Sequence, residues 1–130
     1  MASELRITTL ANLAATESVD TTYVINGSAK AWVRYNGTGT AAISDSFNTA
    51  SIADNGTGDY TFAFSSSMNN SNFACNATSK EVDGSAANNN GTGVMSYSYA
   101  TGSFRVLNFS PDGNPRDPAI GNTSTMGDLA

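Results

Sequence analysis

The sequence predicts an all-β protein, an antiparallel β-sandwich of jelly-roll-like type with an extended N-terminal arm. Short runs of residues alternate apolar with polar side chains, which is the pattern of half-buried strands. Asn-Gly pairs stand between several of these runs, and this pair favours the backbone of hairpin turns. Few long stretches avoid Gly, Asn and Thr, so helices are disfavoured. At 130 residues the chain has the size of one domain.

The N-terminal segment is predicted to be an arm, residues 1–20, outside a sandwich domain at residues 21–130. Leu5 and Ile7 alternate with polar neighbours in this arm, and Leu10 closes the run. An extended segment of this kind can add to an open sheet edge, where its backbone forms hydrogen bonds. We therefore expect Leu5, Ile7 and Leu10 to be buried against another protein or a neighbouring copy of the chain.

Strand-like alternation recurs along the rest of the chain. The runs are, in order, residues 23–25, 31–35, 42–47, 59–64, 73–77, 94–99 and 104–109. The clearest run places Tyr60, Phe62 and Phe64 on one face and smaller residues on the other. We therefore expect six to eight short strands.

Turn signals separate these runs. Asn-Gly-Thr-Gly occurs at residues 36–39, 55–58 and 90–93, and shorter relatives occur at 26–27 and 112–113. Asn and Gly tolerate positive φ, so these segments are predicted to be hairpin or loop tips. Two further polar segments, residues 65–72 and 83–90, are predicted to be exposed, mobile loops.

Charge and composition exclude several function classes. The chain has 6 Lys and Arg against 11 Asp and Glu, a net charge of −5, which is the wrong sign for binding a phosphate backbone. It has no histidine, the side chain that most often carries acid–base catalysis near neutral pH. No apolar run reaches the length of a membrane span. We expect no nucleic acid, no membrane insertion and no enzymatic activity.

The few titratable candidates favour structural roles. Residues 54–59 place two carboxylates around a glycine but lack the final glutamate of a calcium loop, so a hairpin turn is the better prediction. Asp112 and Asp117 lie among three prolines, which indicates a rigid turn cluster rather than a carboxylate pair. Cys75 alternates with apolar residues and is predicted to be a small buried side chain. We expect no metal and no cofactor.

The aromatic side chains are candidates either for the core or for a surface that stacks on sugars. Tyr97 and Tyr99 share one face of a predicted strand, and exposed aromatic rings of this kind bind saccharides and anchor interfaces. The single tryptophan, Trp32, is flanked by Ala31 and Val33. We predict that Trp32 fills the core of the sandwich.

Four segments of the chain carry a resemblance to a known family. They are AKAWVRYNGTGT at residues 29–40, SFN at 46–48, SI at 51–52 and DNGTGDYT at 54–61. This string resembles a module of tail-fibre-type proteins of marine tailed bacteriophages, and both ends of the chain are also similar. The resemblance implies a homotrimeric virion appendage whose tip recognises the host.

The sequence and the resemblance together lead to one expected function and two alternatives. We expect a non-enzymatic virion surface protein of the tail-fibre type that contributes to host attachment. Its expected partners are further copies of itself, other virion proteins and a glycan or protein of the host surface. The first alternative is a capsid decoration protein or short head fibre. The second alternative is a free carbohydrate-binding module.

Overall fold

The computed structural model describes residues 6–80 and 93–130 and forms ten strands and one helix within them. In chain order they are β1 (Thr9–Ala11), β2 (Ser18–Asp20), α1 (Thr21–Gly27), β3 (Ala31–Asn36), β4 (Ala42–Phe47), β5 (Thr49–Gly56), β6 (Asp59–Phe64), β7 (Ala74–Lys80), β8 (Gly93–Ala100), β9 (Ser103–Phe109) and β10 (Ile120–Met126).

Eight of these strands build two antiparallel sheets. The first sheet has the strand order β4–β3–β10–β7, and the second sheet has the order β5–β6–β9–β8. Every neighbouring pair in both sheets is antiparallel. Two four-stranded sheets packed through one core confirm the predicted all-β sandwich, and eight strands is also the strand number of a jelly roll.

The core between the sheets is built largely from aromatic rings. The ring centroid of Tyr35 lies 4.9 Å from that of Phe62 and 5.4 Å from that of Tyr60. Phe104 lies 5.5 Å from both Phe62 and Phe64. Tilted aromatic contacts of this kind add about 0.5–1.5 kcal/mol per pair to the burial of apolar area. The predicted inward face of residues 59–64 is therefore confirmed.

Strand β10 joins the core through small side chains. Gly121, Thr123 and Thr125 face inward and are buried, so the inward positions of this strand lack the large apolar residues that mark β3, β6 and β9. A Cβ atom on Gly121 would lie 2.1 Å from Cζ of Tyr35. Glycine at this position therefore makes room for the tyrosine ring of the neighbouring strand.

The strand predicted at residues 23–25 is wrong, because this segment is the middle of helix α1. Asp20 caps the helix with an extended backbone, and its side chain accepts a hydrogen bond from the backbone N–H of Thr22 at 2.7 Å. A side-chain acceptor at this position favours a helix start. The Asn26-Gly27 pair, predicted to be a turn tip, is instead the last part of the helix.

The connections gather at two ends of the sandwich. One end, here called the arm end, holds the arm and helix, loop 65–73 and the C-terminal residues 127–130. The opposite end, the turn end, holds the connections at residues 37–41, 57–58 and 110–119. The Asn-Gly-Thr-Gly segments at 36–39 and 55–58 both lie at the turn end and connect adjacent antiparallel strands, as predicted. Residues 90–92 of the third segment are outside the described chain.

The loop at residues 65–72 is exposed as predicted at every residue except Met68, and it is bound to the rest of the sandwich. Met68 is only 1% exposed, and its backbone N–H donates to the carbonyl of Thr101 at 2.8 Å. The C-terminal residues pair with this loop, since Asn69 N–H donates to Asp128 and Ala130 N–H donates to Ser67. One buried methionine and these backbone bonds fasten the loop to the sandwich. The other predicted loop, residues 83–90, lies outside the described residues.

Candidate functional site

The described part of the predicted arm is a hairpin, and helix α1 follows it directly; residues 6–27 are together called the arm from this point on. Strand pairing places Leu10 opposite Val19, and the backbone N–H of Thr21 donates to the carbonyl of Thr8 at 2.8 Å. In the described part of the arm, the alternating run that ends at Leu10 is a strand only at Thr9–Ala11, and this strand pairs within the arm itself. Ile7 and Leu10 are 42% and 43% exposed, whereas Leu5 lies outside the described residues. Their burial on a partner stays a prediction.

The arm exposes an unusual amount of apolar surface. Helix α1 has no buried residue. The large apolar side chains of residues 6–27 that stand open to water are Ile7, Leu10, Leu13, Val19, Tyr23, Val24 and Ile25. Contiguous exposed apolar surface on a small protein marks a site that associates with something else.

Lys30 and Asn48 fasten the arm to the arm end of the sandwich. The ammonium Nζ of Lys30 donates to the carbonyl of Ile25 and, at 2.9 Å, to that of Ser28. The side-chain amide of Asn48 donates to the carbonyl of Lys30 at 3.1 Å, and its Oδ1 accepts from the backbone N–H of Ser66 at 2.7 Å. The helix, the first sandwich strand and loop 65–73 are thus tied together at one place.

The prediction that Trp32 fills the core is wrong. Trp32 is 38% exposed and lies on the outer face of the first sheet. The predicted alternation in β3 is correct, but Ala31, Val33 and Tyr35 are the residues that face inward. Side chains alternate strictly along a strand, so the burial of Tyr35 against the second sheet places Trp32 outside.

The outer face of the first sheet carries two rows of four side chains across its four strands. Strand register places Phe47 directly opposite Trp32, and Phe47 is 54% exposed. The first row, from β4 to β7, is Phe47, Trp32, Ser124 and Asn76, and the second row is Asp45, Arg34, Asn122 and Thr78. We call these eight positions the Trp32 face.

The outer face of the second sheet has a different character, because its polar groups bind one another. Arg105 forms an ion pair with Asp59, and the hydroxyl of Tyr97 donates to the same carboxylate at 2.9 Å. The guanidinium also lies 5.2 Å from the centre of the Tyr97 ring. The hydrogen bond to Asp59 raises the pKa of Arg105. Tyr99 turns away from this face and contacts Phe73 edge-on at 5.0 Å.

The turn predicted at residues 54–59 is confirmed as the hairpin between β5 and β6. Asp59 of this turn forms an ion pair with Arg105, and the carboxylate of Asp54 accepts a hydrogen bond from the backbone N–H of Gly56 at 2.9 Å. Across residues 6–80 and 93–130, no group of three or more His, Cys, Asp or Glu side chains is arranged to hold a metal ion.

A hydrogen-bonded cluster closes the turn end of the core. The hydroxyl of Tyr60 donates to the carboxylate of Asp117 at 2.6 Å, and the backbone N–H of Gly58 donates to the same oxygen at 2.7 Å. Nearby, the buried amide of Asn108 donates to the hydroxyl of Tyr35 at 3.1 Å. Burial, reinforced by Asp117, raises the pKa of Tyr60 well above its usual range. Asp117 therefore stabilises the turn at residues 57–58 through these two hydrogen bonds.

Asp112 and Cys75 also have local structural contacts. The Asp112 carboxylate accepts from the hydroxyl of Ser110 and from the side-chain amide of Asn114 within the same turn, which holds its pKa below the usual value. Asp112 and Asp117 bind different groups, in agreement with the predicted turn cluster. Cys75 is half-buried beside the core, and burial raises the pKa of its thiol. A raised pKa makes a thiol a poorer nucleophile.

Comparison of the chain with protein-family models, with curated proteins and with solved structures gives no match. In the part of the chain that the structure describes, helix α1 does not have the length and apolar character that a membrane span requires. The candidate functional surfaces are therefore defined by geometry alone: the apolar arm and the Trp32 face.

Proposed function

We propose that the protein is a non-enzymatic virion surface protein of a tailed bacteriophage, of the tail-fibre type, which contributes to attachment to the host. The resemblance of residues 29–40 and 54–61 to modules of such fibres supports this proposal. The observation that carries it is the division of the molecule into two unlike ends. The arm end exposes apolar side chains, whereas the turn end is made of small polar and glycine-rich connections.

In this proposal the arm end faces the particle. Leu10 and Val19 lie directly opposite each other across the hairpin, and Tyr23 and Ile25 follow in the helix. Moving such side chains out of water stabilises association by about 25 cal/mol for each Å² of apolar surface covered. We expect three copies to associate, as the resemblance to homotrimeric fibres implies, and a symmetric assembly then covers the same apolar surface on every subunit.

The turn end then points away from the particle. Thr38, Thr57 and Asn114 are typical of its short polar side chains, while its carboxylates Asp112 and Asp117 accept hydrogen bonds within the turn end. Charged residues make up only 13% of the chain. Interactions of such a surface depend little on ionic strength, since salt screens charges and leaves neutral polar groups unaffected.

The test is to locate the protein in purified particles of the phage that carries the gene. Immunogold labelling and mass spectrometry should find it on the tail. Label on the head instead would make it a capsid decoration protein or short head fibre. Absence of the protein from intact particles would contradict a virion role.

A matched pair of variants tests the arm. Leu10→Asp places a charge on the apolar arm, and Thr57→Asp places the same charge on the turn end. We expect Leu10→Asp to remain folded, to be lost from particles and to sediment as a monomer in place of a trimer. Thr57→Asp should assemble like the parent. Full incorporation of Leu10→Asp would show that attachment lies elsewhere.

A further inference from the structure

The Trp32 face combines exposed aromatic rings with polar side chains that have no partner among residues 6–80 and 93–130. Trp32 and Phe47 stand side by side across two strands. Within the described residues, the side chains of Arg34, Asn122 and Asn76 make no hydrogen bond or ion pair. Their donors and acceptors are therefore open to a ligand.

The two outer faces of the sandwich differ in this respect. On the second sheet, Asp59 accepts hydrogen bonds from Arg105 and Tyr97, and Asn55 donates to Thr61 at 2.8 Å. Those groups satisfy one another and leave little for a ligand. The contrast selects the first sheet as the binding face.

The chemistry of the Trp32 face fits a sugar better than an apolar protein surface. Aromatic rings carry a negative face, which attracts the positively polarised C–H groups on one side of a pyranose. Hydroxyl groups around the sugar edge need donors and acceptors, and the face offers the amides of Asn122 and Asn76 with the hydroxyl of Ser124. The two rows contain no Leu, Ile, Val or Met, and they include Ser124 and Asp45, whose residue types are depleted at protein interfaces.

We propose that the Trp32 face is a saccharide-binding site. Trp32 and Phe47 form the stacking platform. Arg34, Asn122, Ser124 and Asn76 form hydrogen bonds to the hydroxyl groups of the sugar. The site deepens the proposed host-attachment role, but it is tested on the purified protein, so that failure of one proposal is distinguishable from failure of the other.

The experiment uses Trp32 as its own reporter, because it is the only tryptophan in the chain. Its fluorescence is titrated with maltotriose, N,N′-diacetylchitobiose and methyl β-galactoside, and with glycerol as a polyol that has no pyranose face. We expect a saturable change in emission with at least one of the sugars, with a Kd of about 1 mM, typical of a single shallow site. Glycerol should give no saturable change.

Variants then assign the binding to the face. Phe47→Ala and Asn122→Ala should each raise the Kd for the sugar that gave a response by about 10-fold, which corresponds to about 1.4 kcal/mol of binding free energy. Met95→Ala removes an apolar side chain that is 49% exposed on the outer face of the second sheet, and it should bind like the parent. Circular dichroism confirms that each variant is folded before it is titrated.

Three results would overturn the proposal. The first is a flat titration with every sugar. The second is a sugar response that persists unchanged in both Phe47→Ala and Asn122→Ala. The third is a Trp32 emission maximum that shifts with protein concentration and does not change when sugars are added. That result would identify the face as a contact between copies of the chain.

Discussion

The two buried tyrosines of the core predict how stability changes in alkaline solution. Burial raises the pKa of Tyr35 to about 12, and burial raises that of Tyr60 as well. In the unfolded chain each hydroxyl ionises near its ordinary value of 10.0. The folded state therefore keeps protons that the unfolded state releases above that pH, so stability is complete below about pH 10 and is lost as pH rises further.

The size of the effect follows from the pKa difference of Tyr35. Each pH unit between about 10 and 12 lowers the free energy of unfolding by about 1.4 kcal/mol per group. Ionisation of Tyr35 alone should therefore lower it by about 2.7 kcal/mol over two pH units. Tyr60 should add a similar slope. Urea unfolding followed by circular dichroism at several alkaline pH values measures the free energy of unfolding directly.

Substitution isolates the contribution of one ring. Tyr35→Phe should be less stable than the parent at neutral pH, because it leaves the buried amide of Asn108 without one partner, at a cost of about 1–3 kcal/mol. Above about pH 10 it should lose stability less steeply than the parent, by about 1.4 kcal/mol per pH unit. Tyr23→Phe, which changes an exposed ring, should lose stability with rising pH as steeply as the parent does. An unchanged slope in Tyr35→Phe would refute the reasoning.

Two further pairs of variants test the packing. Gly121→Ala should lower the free energy of unfolding by about 1–3 kcal/mol, because the added Cβ meets the ring of the neighbouring tyrosine. Gly27→Ala, with nothing within 4 Å of the added atom, should stay within about 0.5 kcal/mol of the parent in the same urea assay. Phe62→Ala should cost about 3–5 kcal/mol, whereas Trp32→Ala on the outer face should cost less than about 2 kcal/mol. Equal losses for the two aromatic variants in thermal unfolding would place Trp32 in the core.

Large apolar side chains made most of the sandwich predictable. Strands β3, β6 and β9 place Val, Tyr or Phe at alternate positions, and local sequence is enough to find such a pattern. Strand β10 could not be found in this way, since Gly121 and Thr125 face the core where a neighbouring ring fills the space. Its place depends on residues far away in the sequence.

The candidate site shows the same limit. The alternation in β3 produces two faces, one with Trp32 and one with Val33 and Tyr35, and both are apolar enough to be buried. The choice is made by the second sheet, where Phe62 packs against Tyr35 at 4.9 Å. Local sequence decides which residues of a strand share a face, whereas tertiary contacts decide which of the two faces is buried. Neither the hairpin at residues 9–20 nor the capped helix α1 was predicted from the sequence.

The most direct test of the account is a cryo-electron microscopy reconstruction of the particles that contain this protein. The account predicts copies arranged around a three-fold axis on the tail. Leu10, Tyr23 and Ile25 of each arm should be covered by protein density, and the turns at residues 36–39 and 55–58 should point outward. Copies attached through those turns, with the arms free in solvent, would contradict it.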